Sequence, residues 1–205
     1  DLFKKGNYVD NPYRNFYEIS ARDLNKNPIS MEKYKNKVLL VTNFNPFDKN
    51  LKESYDKLIE MKENLGEDFE ILAFPSSELD KINSSDREIK DKILSNEFFD
   101  KEKINIFNRV YLNGDEIAEV FKYCQKNSGF FRIREGTAKP IERNFVKFLI
   151  DKNGKVYSHY DNDNNNNGSD NMDNVLLEDA RKLMGMKIDR NVFVRRDFTN
   201  YEKFI

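Results

Sequence analysis

A strand-length apolar run, a stretch of helical period and a second apolar run, in that order, restrict the architectures open to this chain. Residues 37–44 read Lys-Val-Leu-Leu-Val-Thr-Asn-Phe. The run is continuous rather than alternating, the pattern of a strand buried on both faces. Residues 51–65 place Leu51, Tyr55, Leu58, Ile59, Met61 and Leu65 at helical spacing, and Gly66 stops them. Glu70 to Phe74 is a second buried strand, ended by Pro75. Strands that alternate with helices imply an α/β fold with a central mixed β-sheet flanked by helices.

The remaining segments extend that order. Phe16 to Ser20 and Pro28 to Ser30 flank Asn25-Lys26-Asn27 as a hairpin. Ser85-Asp86-Arg87-Glu88 has the form of a helix cap with a glutamate three residues on, opening a helix that runs to Leu94. Ile104 to Phe107 is a third strand. Leu112-Asn113-Gly114-Asp115 is a turn before a helix carrying Ile117, Val120, Phe121 and Cys124. Residues 128–142 read as a loop, and 144–151 with 155–160 as a hairpin around Asn153-Gly154. Residues 161–174 are Asn-rich and of low complexity, a surface insert that cannot form a core. Val175 to Met184 is the final amphipathic helix. The expected organisation is an N-terminal arm at 1–14, one domain at 15–187 and a C-terminal tail at 188–205.

Charge nearly cancels, with 35 basic and 36 acidic side chains, so no global field favours nucleic acid. No apolar run approaches the about 20 residues of a membrane-spanning helix. The chain starts at Asp1 rather than methionine, which is compatible with a removed leader and assigns no compartment. Seventeen Phe and ten Tyr supply the core that a 38% hydrophobic content would otherwise leave thin. One cysteine, Cys124, and one histidine, His159, leave no intrachain disulfide and no cysteine-based metal site. Cys124 lies on the apolar side of its helix beside Val120 and Phe121, as a buried structural thiol would. His159 sits between strand tyrosines and reads as a packing residue. Asn-x-Ser sequons at Asn83 and Asn167 fall in expected loops.

Several segments resemble the glutathione peroxidase family in order and spacing. Phe16-Tyr17-Glu18-Ile19-Ser20-Ala21-Arg22-Asp23 is similar to the family's opening Phe-Tyr-x-Leu-x-Ala-x-Asp. Residues 37–43 resemble its first core strand, and Tyr55 to Leu58 and Phe69 to Pro75 its next helix and strand. Leu112-Asn113-Gly114 resembles its Val-Asn-Gly turn, and residues 141–156 its Ile-Lys-Trp-Asn-Phe and Gly-Lys-Val segments. The resemblance implies a thioredoxin-like fold of glutathione-peroxidase type. It also implies a chemistry in which a thiolate or selenolate, surrounded by Gln, Trp and Asn side chains, attacks a peroxide. That sulfur would sit at the start of the helix after the first strand, where backbone N–H groups stabilise negative charge.

At that place the match breaks. Counted from Asn43, the peroxidatic position falls on Asp48; counted back from Tyr55, it falls on Lys49. The family's Gln position is Glu78, and its Trp-Asn pair is Arg143-Asn144. No second cysteine marks the following helix, where thioredoxin-dependent members carry one. Asp48 or Lys49, Glu78 and Arg143 either form an ion-pair cluster in the vacated site or all point into water. A small ligand held there by Glu78, Arg143 and Asn144 is a further expectation.

The leading expectation is therefore a catalytically inactive relative, needing no cofactor, that works by binding a protein partner. In the tail, Phe193, Arg195, Arg196 and Phe198 combine the residue types that anchor interfaces, and the tail either packs back onto its own domain or docks a partner. The alternative is a thiol-dependent peroxidase acting on hydroperoxides under oxidative stress.

Overall fold

In a computed structural model, residues 6–79, 84–161 and 169–186 are described. The tail with Phe193, Arg195, Arg196 and Phe198 lies outside them, as do Asn83, Asn167 and half of the Asn-rich stretch.

The core is a five-stranded mixed sheet. Its central strand, β3 (Val38–Phe44), is buried at all seven positions. β4 (Phe69–Pro75) runs parallel to it, in register from Val38 opposite Phe69 to Phe44 opposite Pro75. β5 (Asn105–Ile106) lies parallel beyond β4. On the other side β8 (Lys147–Ile150) pairs antiparallel with β3, and β9 (Val156–Tyr160) with β8. The spatial order is β5-β4-β3-β8-β9, the mixed sheet expected from the sequence.

The pleat of β3 divides the core in two. Leu39 and Val41 face one layer with Val9, Phe16, Ile19, Phe121, Tyr123 and Cys124. Val38, Leu40 and Phe44 face the other with Leu51, Tyr55, Leu58, Ile89, Ile93 and Leu176. Both faces are covered, so the strand has no need of alternating polar residues. α1 (Leu51–Leu65), α2 (Asp86–Leu94) and α4 (Ser169–Met184) pack on the second face, and α3 (Glu119–Lys126) on the first. Gly66 ends α1 at φ 77°, a left-handed conformation that glycine reaches without a Cβ clash. Ser85 and Glu88 form the reciprocal capping box that opens α2.

Three local expectations are corrected. Phe16–Glu18 is a 3-10 turn, not a strand, because the Asn15 side chain accepts from Tyr17 N and Glu18 from Arg14 N. The hairpin instead pairs β1 (Ser20–Arg22) with β2 (Pro28–Ser30). The 128–142 loop contains a small hairpin, β6 (Phe131–Arg132) with β7 (Thr137–Ala138). Ala138 also pairs with Asn7 through two 2.8 Å backbone hydrogen bonds, which lays the N-terminal arm on the domain. Finally, α4 begins at Ser169 rather than Val175, taking in the end of the Asn-rich stretch. A 3.0 Å ion pair from Asp173 to the nearly buried Lys147 of β8 fixes that extra turn to the sheet.

Candidate functional site

The residues singled out by sequence lie around the C-terminal end of β3. Past Phe44 the chain turns through Asn45, which is 1% exposed and accepts from Phe47 N at 3.0 Å. Asp48 N donates to Asn45 O, and Leu51 N to Asp48 O, so the turn winds directly into α1. One Asp48 carboxylate oxygen accepts from Asn50 N at 2.8 Å. The other accepts from Asn144 Nδ2 at 3.2 Å. Lys49 is exposed beside them and makes no ion pair among the described residues.

Asn43 positions the opposite wall. It is fully buried; its Nδ2 donates to Arg143 O at 2.9 Å, and its Oδ1 accepts from Val146 N at 3.1 Å. Phe145 N donates to Asn43 O at 2.8 Å. These three bonds hold residues 143–146 against the end of β3. Phe145 adopts φ 59° with its ring stacked on Phe44 at 6.5 Å. A left-handed aromatic residue is uncommon and persists where its surroundings fix it.

Glu78 is directed elsewhere. Its Oε2 accepts from Leu112 N at 2.8 Å, and it makes no ion pair among the described residues. The expected ion-pair cluster of Asp48 or Lys49, Glu78 and Arg143 is therefore not formed. Asp48 and Asn144 meet, while Glu78 anchors the 112–114 turn. That turn belongs to a buried amide network: Asn7 Nδ2 donates to Asn113 and Gln125, and Gln125 Nε2 donates to Leu112 O. Asn113 exchanges two 2.8 Å bonds with the backbone of Ile141. A backbone N–H bond satisfies the Glu78 carboxylate more cheaply than a long-range ion pair, because it needs no second long side chain to be ordered.

Asn43, Asn45, Asn7 and Gln125 were not singled out by sequence. The available signal was the polar Thr42-Asn43 pair closing an otherwise apolar buried run, since a buried amide there must find backbone partners.

Cys124 is fully buried on α3, in the core layer opposite the one that α1 packs against. Burial pushes its thiol pKa up. The reactive species is the thiolate, so native Cys124 is expected to resist thiol reagents. Its labelling by a disulfide reagent is expected to be slower than in urea-unfolded protein by a factor of about 10³ or more, set by the free energy of opening the core. Labelling within tenfold of the unfolded rate would contradict this. His159 is a packing residue on β9, edge-on to Phe130 at 4.8 Å, and burial holds its pKa below the usual value. A Cβ at Gly129 would lie 2.7 Å from the imidazole Cε1, so a glycine is needed there. Among the described residues, no three His, Cys, Asp or Glu side chains are grouped to hold a metal ion. No described helix is long and apolar enough to cross a membrane.

Comparison with known proteins identifies the architecture. The glutathione peroxidase family model matches residues 16–125. Putative glutathione peroxidase 7, chloroplastic, of Arabidopsis thaliana is 32% identical over 149 residues, covering 72% of this chain and 60% of that protein. The match thus spans less than two thirds of that relative. The phospholipid hydroperoxide glutathione peroxidase of Sus scrofa is 30% identical over 149 residues, covering 72% of each chain. Among solved structures, the apo form of Trgpx aligns at a TM-score of 0.56 and 20% identity, over 83% of this chain and 98% of that one. GPX1 of T. cruzi aligns at 0.52 and 19%, over 72% and 86%. The fold is thioredoxin-like, and the chain belongs to the glutathione peroxidase family.

Proposed function

We propose that this chain is a non-catalytic member of its family that acts by binding. The observation that carries the reading is the position of its one thiol. Cys124 is sealed in the core layer opposite α1, while the turn leading into α1 carries Asp48 and Lys49. We assign the family's peroxidatic position to that turn, its glutamine position to Glu78 and its Trp-Asn pair to Arg143-Asn144. Reduction of a peroxide by a thiol passes through a sulfenic acid, and neither a carboxylate nor an ammonium forms one. Loss of the sulfur removes the pathway itself. Two features support retention of the scaffold for another purpose: the site walls stay tightly built around Asn43, and Glu78 serves the amide network instead of a reacting centre.

The test is peroxide consumption by the purified protein with hydrogen peroxide or a lipid hydroperoxide, using glutathione or thioredoxin as reductant. Wild type and Cys124→Ser are expected to show the same background rate. Turnover above background in either protein would overturn the proposal. Turnover that disappears in Cys124→Ser would establish the competing reading, a thiol-dependent hydroperoxide reductase, which family membership alone favours.

Binding is assigned to a protein partner, with the tail residues Phe193, Arg195, Arg196 and Phe198 as anchors. Affinity capture from the native cell, with the full chain and with residues 188–205 removed, tests this. Partners that depend on the tail are expected. A truncated protein of unchanged melting temperature that retains every partner would remove the tail from the interface.

A further inference from the structure

The edge of the sheet holds a cavity that none of the foregoing uses. It has a volume of about 230 Å³ and lies between β5, the β1–β2 hairpin and the turn at Met31–Tyr34. Leu24, Ile29, Ile106 and Phe107 give it an apolar lining, with Tyr34 and Asn105 as a polar wall. Asp23, Lys33 and Lys101 complete the rim.

The charges on this rim are not balanced. Several neighbouring cations have acidic partners, Lys26 with Asp86, Lys35 with Glu32, and Lys103 with Glu63 and Asp100, while Lys90 and Arg22 donate to Asn25 Oδ1 and Lys26 O. Lys33 and Lys101 make no ion pair among the described residues. The Lys33 ammonium instead sits over the Tyr34 ring, 5.2 Å from its centre. Asp23, the acidic residue of the rim, is already engaged. Its Oδ1 accepts from Asn25 N and Asn27 N, and its Oδ2 from Asn27 Nδ2. The polar wall is closed as well, since Tyr34 OH donates to Asn105 Oδ1 and Asn105 Nδ2 donates to Glu70.

The walls are also pinned in place. Asp23 bridges Phe107 of the sheet edge, and Asn108 N donates to Arg22 O at 2.8 Å. Lys26 and Arg109 clamp Asp86 from two sides, at 3.0 and 2.6 Å. A preformed cavity loses little ordering entropy when a ligand enters. An apolar lining with two lysines that make no ion pair among the described residues, against one carboxylate whose oxygens are hydrogen bonded, gives the site a net positive charge and calls for a particular chemistry.

We propose that this cavity binds a small organic monoanion, a carboxylate carried on an apolar body, with the body against Leu24, Ile29, Ile106 and Phe107 and the carboxylate between Lys33 and Lys101. The volume is below the about 300–1,000 Å³ of sites for drug-sized ligands, which sets the ligand as a short-chain or single-ring acid. The site shares no residue with the Asp48–Asn144 region, so it stands whether or not the chain reduces peroxides.

The experiment titrates the full chain with hexanoate and benzoate, following amide chemical shifts. The neutral analogues hexanol and benzyl alcohol and inorganic phosphate serve as the other arms. Saturable shifts confined to residues 23–34 and 101–107 are expected for the two acids. The neutral analogues are expected to bind more weakly by about tenfold, and phosphate to give no saturation. Lys33→Met with Lys101→Met is expected to weaken the acids by about the same factor, as the loss of two exposed charge contacts implies. Both lysines are exposed, so that variant is expected to melt like the wild type. Equal affinity for the alcohols, unchanged affinity in the double variant, or acid-induced shifts outside this region would each overturn the proposal. So would saturation by phosphate alone.

Discussion

Replacing Asn43 with leucine is expected to lower the unfolding free energy by about 3 kcal/mol, chiefly by stranding the buried Val146 N–H and losing the bond to Arg143 O. The two side chains have the same branching and the same number of heavy atoms, although leucine's methyl groups are bulkier. Leucine can neither accept from Val146 N nor donate to Arg143 O, and the first of these bonds is fully buried. A buried N–H left without a partner costs about 1–3 kcal/mol, well above the net worth of an ordinary hydrogen bond. Urea unfolding measures the change in stability, and hydrogen exchange at Val146 reports the local release. Thr42→Val is the matched control. Thr42 is equally buried, but its hydroxyl makes only one long 3.4 Å bond to Asn43 O. That substitution is expected to cost less than about 1 kcal/mol. Equal losses in the two variants would show that the Asn43 clamp does not hold residues 143–146.

Raising the pH above about 10 is expected to unfold the protein cooperatively, because several groups are buried in their neutral form. Burial is the largest cause of a raised pKa at Cys124, Tyr34, Tyr55 and Tyr160, all nearly or fully inaccessible to solvent. Burial likewise lifts Tyr17 and Tyr123 to about 12. The folded state keeps these protons after the unfolded chain has released its own. Stability is therefore intact below the ordinary values of 9.0 for the thiol and 10.0 for the phenols, and falls as pH rises past them. Each fully sealed group contributes a slope of up to about 1.4 kcal/mol per pH unit. Cys124, Tyr34, Tyr55 and Tyr160 together would exhaust an ordinary stability of about 5–15 kcal/mol within two to three units. Tyrosinate absorbance and circular dichroism should change together in one sharp step. Tyr55→Phe keeps the ring contacts with Phe44 and Phe99 and should make that step less steep. A gradual tyrosinate rise from pH 10 with the circular dichroism unchanged would mean that the phenols are open to solvent.

The sheet was legible because its signals are strong and local. Val38 to Val41 and Ile71 to Phe74 are apolar without interruption, and the observed strands contain those runs. The Ser85–Glu88 cap was equally plain, since a capping box is written in adjacent residues. What failed was short structure decided by distant contacts. β6 and β7 are two residues each, and β7 is held through Asn7 of the arm, more than a hundred positions away. The first turn of α4 has polar, Asn-rich composition and owes its place to the Asp173–Lys147 pair. The site was half readable. The family resemblance grouped Asp48 or Lys49 with Glu78, Arg143 and Asn144, and of these the structure hydrogen-bonds Asp48 to Asn144. The partner of Glu78 was not readable, because it is a backbone N–H at Leu112, which no side-chain pattern reports.

The central position of β3 also has a consequence for synthesis. Asn43 leaves the ribosome 103 residues before Val146, the partner that closes its hydrogen bonds. Until β8 follows, the nascent chain carries Leu39 to Thr42 as an unpaired edge in the middle of what will become the sheet. Such an edge is a template for wrong pairing between neighbouring chains. Productive folding must wait until β8 has been synthesised, and a chaperone that shields this strand in the interval would raise the yield of native protein.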